Sequence, residues 1–192
     1  MREPSVKGIM FSSAVDRVRH LIDTGQVDQD NVVKALEPQD LEYLKDPIMP
    51  TLWYPIGVCS RYLELLWEID GKRHPGYLAQ RGATAAERIF SEGIYAKVMK
   101  TAENWGGNQI ARALIDLAAQ FYNFMRWELV GNFHDDEYAV EVHDAAEWPD
   151  MLRSAGEAFI EVLHSRARNR PLSVTSERPT PDRVIFKVAL RH

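Results

Sequence analysis

His134-Asp135-Asp136-Glu137 places an imidazole and three carboxylates in four consecutive positions, the donor types that hold a divalent cation or exchange protons near neutral pH. Neighbouring residues seldom converge on one ion, and Asn132 to Asp136 has the composition of a hairpin turn, so this spacing favours a solvated loop. His143-Asp144 is a second pair, since an orienting carboxylate can make an imidazole a general base. No Gly-x-Ser-x-Gly elbow or other nucleophile motif accompanies it, and a histidine ending a strand is the simpler reading. Cys59, the only cysteine, falls on an apolar helical stripe, which favours a buried, inert thiol over a nucleophile. Arg166, Arg168 and Arg170 have the planar forks that bind phosphate or an acidic partner, but positive charge at this spacing also suits a helix C-terminus. Gly106-Gly107 lacks the Lys-Ser/Thr of a phosphate loop and reads as a turn. With no nucleophile, base and orienting group in one pattern, the residues favour a non-catalytic protein and leave an enzyme using His143, Asp144 or the His134 cluster as the lesser alternative.

The aromatic residues offer a different chemistry. Trp127, Tyr138, Phe159 and Phe186 share the inward parity of their elements, and form either a dense core or the lining of an aromatic pocket between helix and sheet. Trp53 and Tyr54, held by Pro55, either line the mouth of that pocket or anchor the helix that follows. If the chain binds a small apolar molecule, these six residues are the expected binding site.

The elements that must position them follow from periodicity. Val15, Val18, Leu21 and Ile22 recur at helical spacing after the potential caps Ser12 and Ser13, and Gly25 ends that segment. Short helical turns are expected over 31–36 and 38–44, then the extended connector Asp46-Pro47-Ile48-Met49-Pro50. Ile56, Cys59, Tyr62, Leu63, Leu66 and Trp67 form a core helical stripe. Helical patterns continue over 77–90 and 94–101, and Ile110, Leu114, Leu117 and Phe121 mark another buried face. After residue 124 the period changes to two: Met125, Trp127 and Leu129, then Tyr138, Val140 and Val142, alternate with polar residues as two antiparallel strands. Leu152, Phe159, Ile160 and Leu163 then define an amphipathic helix. Two more strands, carrying Leu172, Val174 and Val184, Phe186, Val188 and Leu190, are joined through Pro179-Thr180-Pro181-Asp182. The expected architecture is a single α+β domain spanning 1–192. Its N-terminal helical layer, 1–123, packs on a four-stranded antiparallel sheet with an inserted helix, the ββαββ portion 124–192.

Composition bounds the partners. With 45% hydrophobic and 27% charged residues in 192, the chain has ordinary globular character. A formal charge of -5 supplies no general attraction to nucleic acid or anionic lipid. No run reaches the apolar length that spans a bilayer, and neither a secretory leader nor a disulfide is expected from Met1 to Ser12 and the lone cysteine, so the cytoplasm is the expected compartment.

Lys7-Gly8, Trp53-Tyr54-Pro55 and the order of the segments resemble an uncharacterised bacterial family known mainly from myxobacteria. Its layout is similar to the heme nitric-oxide-binding and 4-vinyl-reductase superfamily, in which several helices precede a sheet with one inserted helix. The resemblance implies a sensor or signalling domain that accepts an apolar small molecule, a heme or a partner surface, and it implies no reaction. The chain departs from the superfamily twice. The Tyr-x-Ser-x-Arg pattern that holds heme propionates in the heme branch is absent, and the paired late cysteines of many 4-vinyl-reductase-like domains are replaced, with Ser173 and Arg178 in the corresponding hairpin region. On those departures heme and a cysteine-bound metal lose support and the cofactor is left unknown. The alternative function is an adaptor that binds a protein partner, or forms a homodimer, through its helical half or an exposed sheet edge.

Overall fold

A computed structural model describes residues 3–91, 107–131 and 137–191. Backbone contacts divide the chain into a helical unit, Met1–Tyr77 with Phe121–Phe124, and a sheet unit, Leu78–Gln120 with Met125–His192.

In the helical unit, strand β1 (Ser5–Lys7) leads directly into helix α1 (Gly8–Asp23). The helix begins earlier than Ser12 and Ser13 suggest, because its first donors are satisfied from elsewhere in the chain. The Gly8 and Ile9 N–H groups donate to the carbonyls of Leu52 (2.9 Å) and Pro50 (3.1 Å), meeting the need that a capping side chain would otherwise meet. A side chain at Gly8 would fall on the Met49 carbonyl and the Tyr54 ring, so glycine is what allows this loop to close. Phe11, Ala14, Val15, Val18 and Leu21 bury one face of α1.

Helix α2 (Gln29–Ala35) is capped by Asp28, whose side chain accepts from the Asp30 N–H, and a 3-10 turn follows over Asp40–Leu44. The expected connector continues into strand β2 (Trp53–Pro55), which pairs antiparallel with β1, Lys7 opposite Trp53 and Val6 opposite Tyr54. Helix α3 (Ile56–Ile69) then buries Ile56, Val58, Cys59, Tyr62, Leu65 and Leu66. Its face is rotated from the expected one: Leu65 is inside, whereas Leu63 and Trp67 are half-buried.

Helix α4 (Tyr77–Ser91) and helix α5 (Gly107–Phe121) carry the chain towards the sheet. The segment expected as helical over 94–101 lies outside the described residues. Strands β3 (Arg126–Val130), β4 (Tyr138–His143), β5 (Leu172–Thr180) and β6 (Arg183–Leu190) form one antiparallel sheet in the order β3-β4-β6-β5. The α+β class with a four-stranded antiparallel sheet is therefore as the periodicity indicates. Thr180 pairs with Arg183, leaving Pro181-Asp182 as a two-residue turn, and the register shifts between Glu177 and Thr180, around Pro179. Proline is tolerated there because the outer strand β5 is irregular at that point.

Helix α6 (Leu152–Arg168), inserted between β4 and β5, buries Leu152, Ile160, Leu163, His164 and Ala167. Asn169 ends it in the left-handed region at φ 50°. Two close approaches set its position. A Cβ on Gly156 would lie 3.0 Å from the tip of Phe186, and a side chain on Gly82 of α4 would fall on the Ala155 backbone. The sheet thus meets one side of α6 through Phe186, and α4 meets another through Gly82. Replacing Gly82 with Val should force these helices apart and lower the stability of the sheet unit by about 1–3 kcal/mol, measurable as a lower urea midpoint at unchanged slope.

Candidate functional site

The sheet face beneath α6 gathers the aromatic residues of the sheet unit. Alternation along β3, β4 and β6 turns Trp127, Tyr138 and Phe186 to this face. Trp127 and Phe186 lie nearly parallel, with centroids 6.2 Å apart and planes at 9°. Trp148, from the loop before α6, completes the group at 6.0 Å from Phe186 and 6.3 Å from Trp127. Phe186 is fully buried, and Phe159 is half-buried on α6. No local pattern marks Trp148 as a member of the cluster; its place there depends on the loop folding back, since the Ala145 N–H donates to the Asp182 carbonyl (2.9 Å) and the Trp148 N–H to the Ala145 carbonyl (3.0 Å).

Arg178 secures that loop. Its guanidinium donates to the carbonyls of Pro181 (2.6 Å), Trp148 (2.7 Å) and Ala145 (3.2 Å) and to the Asp150 carboxylate (3.1 Å). The planar fork suits four acceptors arranged around it. This arginine, in the hairpin region where the resemblance expects a thiol, ties the β5–β6 turn to the approach to α6.

Tyr138 has a polar partner in the same interior. Its hydroxyl is 3.1 Å from Nδ1 of His164, with ring centroids 5.5 Å apart, and His164 is 0% exposed. Sequence reasoning passed over His164 because the residues around it carry an ordinary helical pattern; only the pairing of α6 with β4 shows that the imidazole is inside.

Trp53 and Tyr54 belong to the helical unit and have separate surroundings. The Tyr54 ring joins Phe11, Tyr43 and Tyr62, with centroids 5.2–5.7 Å apart along the contacts, and its hydroxyl accepts from the Met49 N–H at 2.9 Å. Trp53 is 41% exposed, with Lys7 Nζ 4.1 Å above its ring. Beside this cluster, Asp40 is 0% exposed and accepts two bonds from Arg61, at 2.6 and 2.8 Å, and one from the Glu37 N–H at 3.2 Å. The Tyr62 hydroxyl donates to the Asp40 carbonyl at 3.0 Å. Those hydrogen bonds hold the Arg61 guanidinium above its ordinary value, and burial, reinforced by the Asp40 charge, pushes the Tyr62 phenol up. A second fork, Arg17 on Asp70 at 2.9 and 2.6 Å, is joined by the Tyr77 hydroxyl at 2.7 Å.

The remaining candidates are dispersed. His134, Asp135 and Asp136 lie outside the described residues. His143 faces Glu128 on the neighbouring strand (3.4 Å) and Glu141, two residues back on its own strand (3.6 Å); Asp144 has φ 59° and turns the chain. Cys59 is buried on α3. Arg166 pairs with Glu87 at 2.8 Å, and the side chain of Arg168 is outside the described set. Among the described residues, no group of three His, Cys, Asp or Glu side chains is placed to hold a metal ion, and no helix is long and apolar enough to cross a membrane.

No family model matches the chain, and no curated protein matches it. Solved structures do. An Fe(II) unliganded H-NOX protein variant from K. algicida superposes with a TM-score of 0.67 at 13% identity, over 97% of each chain. An H-NOX protein from S. oneidensis in the Fe(II)NO ligation state gives a TM-score of 0.61 at 10% identity, over 97% of this chain and 99% of that one. A protein studied for heme redox potential and porphyrin distortion gives 0.62 at 13% identity, over 96% and 99%. At such identities the likeness is one of fold, and the fold is that of the heme nitric-oxide-binding domains.

This corrects one expectation. Setting heme aside rested on a missing linear pattern, whereas the neighbours that share the fold are described with Fe(II), heme and porphyrin, so the missing pattern does not disfavour heme. The physical reason is that propionates and iron are held by groups brought together in space, and a fold kept at 13% identity can keep a site while losing a motif. Among the described residues the groups of the chemical type that iron takes are dispersed: His143 lies beside Glu128 and Glu141, His164 faces Tyr138 and Cys59 is buried on α3, so none is assigned to iron.

Two measurements check the buried polar groups. Tyr138→Phe removes the hydroxyl facing His164 and should cost about 1–3 kcal/mol in chemical denaturation. Because the Tyr62 phenol is raised above its ordinary value of 10.0, its contribution is complete below pH 10 and is lost as pH rises through the folded value. Stability should fall on the alkaline side, and Tyr62→Phe should flatten that limb.

Proposed function

We propose that this chain is a non-catalytic sensory domain that binds a ligand within an H-NOX-like fold, with heme as the first ligand to test and another apolar small molecule as the broader class. The observation that carries the reading is the fold likeness over 97% of the chain at a TM-score of 0.67. Trp127, Tyr138, Phe159 and Phe186 of the sheet unit remain proposed lining residues, and Trp53 and Tyr54 of the helical unit remain proposed binding residues taken by themselves. The finer likeness to the myxobacterial family is supported by Lys7 and Trp53, which register places opposite each other in the β1–β2 ribbon, and by Gly8, which lies close against the Tyr54 ring. A cytoplasmic location accompanies this reading and is supported by the single, buried cysteine.

An adaptor function is the second reading, favoured by one observation. Met49, Leu52 and Trp53 are 53%, 55% and 41% exposed on a loop held by hydrogen bonds from Gly8, Ile9 and Lys7 to the carbonyls of Leu52, Pro50 and Thr51. Apolar side chains presented on a fixed backbone suit a protein partner.

Expression with a heme precursor, followed by absorption spectroscopy and native mass spectrometry, tests the leading function. A Soret band, or a retained small molecule at one per chain, is the expected result. A bare chain that also fails to take up added hemin would overturn it in favour of the adaptor.

A further inference from the structure

The four-stranded sheet ends on β3, which pairs on one side with β4. An outer strand presents a row of backbone donors and acceptors that another strand can extend. β3 carries Arg126 and Glu128, whose side chains are 55% and 49% exposed, two residues apart and therefore on the same face. Trp127 lies on the other face and leans inward onto Phe186.

These positions are self-complementary in one antiparallel register. When two copies of a strand pair about a two-fold axis normal to the sheet, one residue lies opposite itself, and its neighbours at plus and minus one lie opposite each other. An axis through Trp127 sets Arg126 against Glu128 of the second copy, and Glu128 against Arg126 of the second copy, giving two cross-strand ion pairs. An axis through Arg126 or through Glu128 sets like charge against like, and an axis through Leu129 leaves Glu128 facing Val130. Opposite charges directly across a ladder stabilise it, and like charges destabilise it by similar amounts. We propose that β3 is a homodimer interface, joining two sheets edge to edge with Trp127 on the two-fold axis and the Arg126–Glu128 pairs selecting the register. This does not depend on what ligand the chain binds. Within one chain Arg126 contacts Glu128 along the strand, and pairing would exchange that contact for two across the interface. Charges on an outer strand also serve to keep sheets apart, and the two roles predict opposite results.

Sedimentation equilibrium of the full chain between about 1 and 100 µM should return twice the chain mass at the upper end. Arg126→Glu places glutamates opposite glutamates and should weaken association about tenfold or more; Glu128→Arg should do the same with arginines. An equimolar mixture of the two variants should restore association, because every cross-strand pair in the mixed dimer is again opposite in sign. Both changes are at exposed positions, and circular dichroism confirms that each variant is folded. A wild-type chain that stays monomeric at 100 µM, a dimer indifferent to both reversals, or a mixture no tighter than its components would each overturn the proposal.

Discussion

The sheet unit is organised by one packing constraint: α6 must lie close to the sheet without a side chain in the way. Gly156 favours this, because a Cβ there would come within 3.0–3.2 Å of the fully buried Phe186 ring, a tighter contact than side chains ordinarily make. Phe186 in turn fixes where Trp127 and Trp148 lie, as a near-parallel neighbour and an inclined one. The same helix brings His164 over Tyr138 and meets α4 at Gly82. Dense interiors respond to the addition of even one methylene, so these glycines constrain how closely α6 lies to the sheet and to α4.

The helical unit is held differently. Its centre combines an aromatic group, Phe11 with Tyr43, Tyr54 and Tyr62, with the buried Asp40 carboxylate that Arg61 holds with two bonds. A buried charge is costly unless paired and hydrogen-bonded, so the 3-10 turn carrying Asp40 is tied to the α3 position that carries Arg61. The β1–β2 ribbon closes the unit, since the loop before β2 supplies the carbonyls that start α1. Residues far apart in sequence thereby define a single local structure: Asn123 accepts from the Ser5 N–H at 2.8 Å, across 118 positions.

In each unit, apolar and aromatic packing is set by a small number of polar anchors. Arg178 is the clearest anchor in the sheet unit and Asp40 in the helical one. His143 has Glu128 of the neighbouring strand and Glu141 of its own strand beside it, while Asp144, adjacent in sequence, turns the chain.

Strands, the inserted helix and the α+β class were legible because period-two alternation and helical stripes are local consequences of burying one face. Tyr138, Val140 and Val142 are buried as their alternation indicates. The motif reading that set heme aside failed for the complementary reason: a linear pattern records neighbours along the chain, while a cofactor is held by neighbours in space. The start of α1 was missed because Pro50 and Leu52, forty residues on, supply its caps. The inside position of Leu65 was missed because rotation of α3 is decided by what packs on it. The sequence by itself determined element type, strand parity and the absence of a recognisable catalytic motif. Tertiary structure alone decided which faces meet, the Tyr138–His164 pair, the Asp40–Arg61 fork and the glycine contacts of α6, because each depends on distances between segments that no local pattern encodes.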